Sequence, residues 1–345
     1  MRTKLFRSFF DILSISNIIL TGDFMEENYI LARSCVTKKY GQENVMFTFF
    51  VVGLYCLLCK YSKYKQLVID SFFNTDVFFE NGSLSEILIR NDKHPDEFED
   101  LESDDAYQTF AISNLGQYFE IDTTTLQVNF INKNPYVVAT IDNVTIEHLL
   151  NSYCHEMGHI IKSRIDGIYI ISQEKDCVEL CTRSGLLYNY YYADDNGLLE
   201  DNEFSVLEEA INVLQTTEAM SEIFALREFV PDQDVKEFLD NLNDERLRTD
   251  YGYEEIVDVF RVLWYNERFR NKTEESQITG NESIENDFDS VGDITFQNFG
   301  NILEEYFSYV LSGNSDSYEA IKIKKICLEY IEKYNEKYKE YIKRK

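Results

Sequence analysis

The segment CHEMGH, residues 154–159, holds two of the four histidines of the chain, with a glutamate directly after the first. Residues four apart on an α-helix lie on one face about one turn apart, so His155 and His159 can direct their imidazoles at a single ion. We expect on the order of 0.01 such matches by composition alone, so chance is a weak explanation. The spacing indicates a metal site.

Zn²⁺ suits two neutral imidazole nitrogens at tetrahedral angles. This arrangement leaves one position for a third protein ligand and one for a water, whose pKa the metal lowers towards about 7. Glu156 lies beside the histidines and can take the proton of that water as a general base. The chemistry that the segment predicts is hydrolysis by a metal-activated water.

A helix that begins after Asp142–Asn143, a segment with N-cap residues, would position these groups. Its apolar residues recur at intervals of three and four: Ile146, Leu149, Leu150, Tyr153, Met157, Ile160 and Ile161. His148, Ser152, His155 and His159 follow a different stripe, so the helix presents a polar wall backed by a core. His148 is too far along the axis to share the ion, and lies either on the rim of the cleft or on plain surface.

The third ligand has to come from elsewhere, and the segment LEEAIN, residues 207–212, is the best candidate. CHEMGH followed by a helix that bears LEEAIN resembles the gluzincin metallopeptidases, and more closely their small bacterial and mobile-element members. The resemblance implies a zinc ion held by His155, His159 and Glu209, with Glu156 as the general base. It covers roughly residues 105–265 and implies cleavage of a peptide or protein substrate.

The same resemblance extends to Tyr253-Glu-Glu-Ile-Val, which is similar to a tyrosine-containing helix of such proteins. A neutral phenol there, from Tyr253 or Tyr251, would donate to the developing oxyanion. Outside CHEMGH the match is loose. Ala210 replaces a glycine, Asn212 replaces a threonine, and Val213 replaces the aspartate that orients a ligand histidine in thermolysin-like enzymes.

The start of the second helix separates the two glutamates of LEEAIN. Ser205 and Glu208 have the spacing of a capping box, so we expect Glu208 to reach back to the N-cap and Glu209 to point to a different face. Glu209 is then either the metal ligand or a first-turn acid stabilised by the helix dipole. Asn212, on the same face as Glu209, either hydrogen-bonds a ligand or lies on the surface.

The whole sequence predicts an α+β protein with helical N- and C-terminal extensions. The gluzincin resemblance implies that residues 105–270 form a zincin-like metallopeptidase core, in which a small mixed sheet lies over the HExxH helix and the lower half is mainly helical. Residues 107–140 have the β-branched and aromatic pattern of that sheet. Residues 1–90 are predicted to be a helical region, and residues 271–295 an acidic flexible loop with few large apolar groups. Residues 296–345 are predicted to be helical.

Five further patterns set element boundaries inside the core. GIYIIS and CVELCTRSGLLYNYYYA, residues 167–172 and 177–193, are typical of strands, and Asp194–Gly197 is a turn. Helices are predicted from Ser205 to about Phe229 and from about Tyr253 to Phe269. Within the HExxH helix, Gly158 would let a neighbouring segment approach, and Cys154 would pack in the core.

The net charge of -29 argues against nucleic-acid binding, because a surface that follows phosphates needs clustered lysine and arginine. Seven cysteines are an odd number in a chain too large to need disulfides, so we expect a reducing, cytoplasmic location. The pairs Cys56/Cys59 and Cys177/Cys181 could hold a structural zinc ion, but the sequence favours small buried side chains.

Residues 45–59, VMFTFFVVGLYCLLC, are a 15-residue apolar run. A membrane span needs roughly 17–25 residues, so the sequence favours a core helix over membrane contact.

Three hypotheses follow for function. The first is a zinc-dependent peptidase, in which an edge strand of the sheet pairs with an extended peptide. The second is a catalytically inactive metallopeptidase-like scaffold that acts as a protein-binding module. The third is a helical structural protein with an accidental motif. Metal content and proteolysis discriminate among them.

Overall fold

The described part of the chain contains helices and strands in a mixed α+β arrangement, as predicted. The computed structural model describes residues 24–93, 111–122, 125–174, 176–194, 197–247, 254–291 and 294–339.

The elements before the HExxH helix supply a small sheet and the helices beneath it. They are α1 (Phe24–Tyr40), α2 (Phe47–Lys60), a 3₁₀ turn (Ser62–Tyr64), α3 (Lys65–Asn74), β1 (Asp76–Glu80), α4 (Leu84–Arg90), β2 (Ala111–Asn114), β3 (Gln117–Asp122), β4 (Gln127–Asn132) and β5 (Tyr136–Thr140). β1 pairs parallel with β5, and β2 pairs antiparallel with it, so β2 lies at one edge of a sheet of order β1-β5-β2. β3 and β4 form a separate hairpin, so the prediction of one sheet from residues 107–140 is wrong: only β2 and β5 of these strands belong to the three-stranded sheet.

The second half of the chain carries a second sheet and most of the helices. The elements are α5 (Ile146–Lys162), β6 (Ser163–Gln173), β7 (Cys177–Ser184), β8 (Leu187–Asp194), β9 (Gly197–Glu203), α6 (Ser205–Phe229), α7 (Gln233–Asp240), α8 (Asp244–Leu247), α9 (Glu254–Trp264), α10 (Glu267–Thr279), α11 (Ser283–Asp289), α12 (Phe296–Leu311) and α13 (Tyr318–Lys337). β6 to β9 form an antiparallel meander between α5 and α6.

Helix α5 carries CHEMGH and is amphipathic, as predicted. Thr145 is its N-cap and accepts a hydrogen bond from the backbone N–H of His148, at 3.3 Å. The apolar stripe is buried against α2, where a Cβ added at Gly53 would lie 2.7 Å from the ring of Tyr153. The polar stripe is left facing β2 and α6, so packing of the apolar face sets the direction of the two histidines.

Helix α6 connects two hydrophobic cores. Its first turns, which include Leu207, Ile211 and Leu214, pack with α9, α11 and α12. Its later turns, which include Met220 and Ile223, pack in the core that contains α2 and α5. The helix ends at Phe229, as predicted, and its position relative to α5 is fixed from both sides.

The prediction that residues 1 to about 80 are helical is wrong for Asp76–Glu80, which is strand β1. The sequence DVFFE has β-forming aromatic and branched residues, and it pairs in register with Tyr136–Thr140 about 60 residues later. The N-terminal region thus contributes a strand to the sheet above α5. Residues 1–23 lie outside the described part of the chain.

The prediction of a flexible loop over residues 271–295 is also wrong, because α10 and α11 cover most of this segment. The predicted helix from Tyr253 to Phe269 is interrupted, since α9 ends at Trp264 and the side chain of Asn266 caps the start of α10. Residues 271–289 bury the polar side chains of Ser276 and Gln277. Ser276 Oγ accepts from the N–H of Ile284 and Gln277 bonds Gln215 and Glu208, so hydrogen bonds hold a segment that is poor in apolar residues.

Helix α2 confirms the prediction of a core helix within residues 45–59, since every residue from Phe49 to Leu58 is buried. Among the described helices, none is both long and apolar enough to cross a membrane.

Candidate metal centre

Three side chains from α5 and α6 converge on one point. The Nε2 atoms of His155 and His159 are 3.2 Å apart. Glu209 Oε2 lies 3.2 Å from His155 Nε2, and Glu209 Oε1 lies 3.1 Å from His159 Nε2. Among the histidine, cysteine, aspartate and glutamate side chains of the described residues, these three form the group whose atoms lie close enough together to hold a metal ion. Of the two alternatives for Glu209, the structure favours the one that faces the histidines.

The spacing of these atoms fits a tetrahedral ion. Ligand atoms about 2.0–2.1 Å from an ion at tetrahedral angles lie about 3.3–3.4 Å from one another. The two Nε2 atoms are 3.2 Å apart, close to that edge length. His155 Nε2 lies 3.2 Å from Oε2 of Glu209 and His159 Nε2 lies 3.1 Å from Oε1, so each nitrogen has a carboxylate oxygen at a similar distance. Protons on both Nε2 atoms would face each other across the same gap, whereas one cation would be bound by both nitrogens and by the Glu209 carboxylate. The group could therefore hold a metal ion, and its donor types are among those that bind Zn²⁺.

The electrostatics of the group favour ionised Glu209. Burial alone would raise the pKa of Glu209, but His159 and His155 bring it well below the usual range. Burial alone would lower the pKa of His159, and the Glu209 carboxylate raises it above the ordinary value. Glu209 is held as a carboxylate, which is the form that binds a metal.

Glu156 projects beside the histidines and contacts the sheet. Ser113 on β2 donates a hydrogen bond from Oγ to Glu156 Oε2 at 2.6 Å. Ser113 pairs with Val137 in the sheet, on a face that includes the apolar residues Ala111 and Ala139. Sequence reasoning missed Ser113. A polar residue on an otherwise apolar strand face is a signal that could have found it.

Glu208 does not cap α6, so that prediction is wrong. The N-cap is Phe204, in the left-handed conformation with φ of 66°, and Ser205 is already helical. Glu208 is buried, and its carboxylate accepts from Lys162 Nζ and from the backbone N–H of Leu186, the latter at 2.8 Å. A start one residue earlier than expected turns Glu208 inward, because the capping box needs Ser205 outside the helix.

Asn212 is fully buried, so the alternative that placed it on the surface is wrong. Its Nδ2 donates to the backbone carbonyl of His155 at 2.9 Å, and its Oδ1 accepts from Lys162 Nζ at 2.9 Å. A Cβ at Gly158 would lie 2.6 Å from Asn212 Oδ1. The prediction that Gly158 lets a neighbouring segment approach is confirmed, and the neighbour is Asn212.

The remaining candidates lie apart from the metal group or outside the described residues. His148 is half-buried and is not a member of the group, and burial lowers its pKa. Cys154 is buried against α2, as predicted, with its thiol 3.9 Å from the carbonyl of Gly53. None of the seven cysteines, all of which lie in the described part of the chain, forms a disulfide bond. Tyr253 and Tyr251 lie outside the described part of the chain.

Comparison of the chain with protein-family models, with curated proteins and with solved structures finds no match.

Proposed function

We propose that this protein is a zinc-dependent peptidase with a zincin-like core. The observation that carries the proposal is the convergence of His155, His159 and Glu209, whose two Nε2 atoms are 3.2 Å apart and each within 3.2 Å of an oxygen of the Glu209 carboxylate. Glu156, the residue that would act as general base, lies next to His155 on the same helix.

The ion, Glu156, Ser113 and strand β2 each have a function in the proposed mechanism. A bound zinc ion would supply Lewis acidity towards a water and towards a carbonyl oxygen. Glu156 accepts the proton that the attacking water loses, and it returns this proton to the departing amine. Ser113 holds one oxygen of the Glu156 carboxylate and leaves the other for proton transfer. Among the described strands β2 lies at the edge of the three-stranded sheet, a position that supports pairing with an extended peptide.

Replacement of Glu156 with Gln tests the proposal. Gln keeps the size of the side chain but cannot take a proton, and Glu156 is not in the metal group. We expect the purified variant to retain stoichiometric zinc and to lose cleavage of a diverse peptide library, measured by elemental analysis and mass spectrometry. The control is Glu200→Gln, at an exposed position on β9.

Two results separate the proposal from its rivals. Wild-type protein that holds no stoichiometric zinc would contradict the proposal. Zinc binding without cleavage of any library peptide would favour a catalytically inactive scaffold that binds other proteins.

A further inference from the structure

We propose that a buried polar cluster behind the metal group positions the metal ligands, and that Asn212 is the positioning residue that connects it to His155. The inference rests on the proposed function for its metal. The cluster, called here the Lys162 cluster, consists of Lys162, Glu208, Asn212, Gln215 and Gln277. All five side chains are buried.

Lys162 is the last residue of α5 and is only 1% exposed. Its ammonium donates to Glu208 Oε1, to Asn212 Oδ1 at 2.9 Å and to Gln215 Oε1 at 3.3 Å. Three acceptors match the three donors of the ammonium, and the Glu208 carboxylate balances its charge. A buried lysine without such partners would be strongly destabilising.

The Glu208 carboxylate connects the cluster to two more elements. It accepts from Gln277 Nε2 of α10 at 3.0 and 2.8 Å, and from the N–H of Leu186 in the turn before β8 at 2.8 Å. Gln215 Nε2 in turn donates to Gln277 Oε1 at 2.7 Å. The cluster therefore fixes α5, α6, α10 and the β7–β8 turn against one another.

The contact with the metal group passes through Asn212. Its amide spans from Lys162 to the carbonyl of His155, three residues along α6 from Glu209. Gly158 leaves just enough space for this amide between the two ligand helices. The separation of α5 from α6 at this level sets the distance from Glu209 to both histidines, so a shift of the helices would open the tetrahedral spacing.

Stability alone does not account for such a cluster. A buried ion pair replaced by apolar residues of similar volume is often neutral or stabilising, because both charges lose their hydration. The polar cluster provides directional hydrogen bonds that fix one relative position of the helices, which apolar packing would not do.

The test measures the zinc dissociation constant by competition with a chromophoric chelator. Asn212→Asp keeps an acceptor for Lys162 but loses the donor to the His155 carbonyl, and its added negative charge would by itself favour a cation. We expect Asn212→Asp and Asn212→Ala to bind zinc about 10–100-fold more weakly than wild type. Asn335→Ala is the control, since Asn335 is also buried but bonds Asn266 and Val262.

A second variant covers the case in which the Asn212 variants fail to fold. Lys162→Met combined with Glu208→Gln removes both charges and keeps an acceptor for the N–H of Leu186. We expect this double variant to fold, with circular dichroism like that of wild type, and to bind zinc at least about 10-fold more weakly.

The outcomes distinguish this inference from the proposed function. If wild type and Asn335→Ala bind zinc and Glu209→Ala does not, the metal site stands. Folded cluster variants with wild-type zinc affinity would then overturn the positioning of the ligands alone. Wild-type protein that binds no zinc would overturn both.

Discussion

Ser113, on strand β2, is hydrogen-bonded to Glu156, the proposed base on the HExxH helix. The hydroxyl holds Oε2 of the carboxylate at 2.6 Å. A carboxylate that rotates freely is in the correct orientation for the attacking water only part of the time. The hydrogen bond from Ser113 therefore pre-organises the base. Ser113 acts through Glu156 and is a positioning residue.

The change Ser113→Ala should lower peptide cleavage about 10-fold while the zinc content stays at the wild-type level. The reason is that Ala removes the donor to Glu156 and leaves His155, His159 and Glu209 in place. Single-turnover cleavage and elemental analysis measure the two quantities on the same preparation. Ser172→Ala, on β6 of the other sheet, is the matched control; equal rates for both variants would contradict the assigned contact.

At the scale of residues, spacing predicted the site better than capping rules did. His155, Glu156 and His159 follow from their positions on one helix, because helical geometry alone determines which side chains share a face. Glu208 was misassigned because the helix starts one residue earlier than the capping pattern suggests. A lysine in the last turn of a helix is usually exposed, where its charge interacts favourably with the helix dipole. Nothing in the local sequence therefore indicates that Lys162 is buried.

Helices α10 and α11 are stabilised against each other by polar contacts. Arg268 Nε donates to both carboxylate oxygens of Asp287, at 2.9 and 3.1 Å, and the hydroxyl of Tyr334 donates to Asp287 Oδ2 at 2.5 Å. Asp287 is buried, so water does not readily replace it as the acceptor for Arg268 and Tyr334. These contacts explain how an acidic segment forms ordered helices.

Asp287→Asn should therefore lower the free energy of unfolding by about 1–3 kcal/mol, because it leaves Arg268 without its ion pair and Tyr334 with a weaker acceptor. In the variant, amide hydrogen exchange in α11 should be faster than in wild type, and the increase should be larger in α11 than in α5. Asp258→Asn tests a surface pair with Arg261 and should change stability little. Unchanged exchange in α11 would mean that apolar packing alone orders this segment.

At the scale of elements, periodicity predicted the strands of residues 107–140 and the amphipathic helices that carry the site. It failed where the partner is distant or polar. β1 was missed because its parallel neighbour β5 lies far along the chain. Residues 271–289 were missed because buried glutamine, serine and threonine give no apolar repeat.

Across the whole molecule, charged side chains connect the N-terminal helices to the C-terminal half. Lys60 of α2 pairs with Glu218 of α6 and Glu274 of α10, at 2.5 Å each, and Arg270 lies 3.3 Å from Glu218. Burial alone would raise the pKa of Glu218, but Lys60 and Arg270 bring it below its ordinary value of 4.5. The unfolded chain therefore binds this proton more readily than the folded protein does.

A depressed pKa in the folded state gives stability that is present above the unfolded value and is lost as pH falls through the folded value. Glu218→Gln should lower the free energy of unfolding at about pH 7, and the difference from wild type should shrink as pH falls below about 4.5. Chemical denaturation at a series of pH values measures this, with the exposed Glu200→Gln as control. A constant difference at all pH values would exclude this ion pair as the cause.

The β6–β9 meander, which lies between the two ligand helices, also determines when the metal group can exist during synthesis. About fifty residues separate Glu209 from His159. A ribosome adds about 5–20 residues per second, so Glu209 is made roughly 2.5–10 s after the second histidine. The nascent chain passes through an interval in which α5 and its apolar partners in α2 and β5 are complete while the carboxylate is still missing. Any metal held by all three side chains is therefore acquired late, after the meander has been translated.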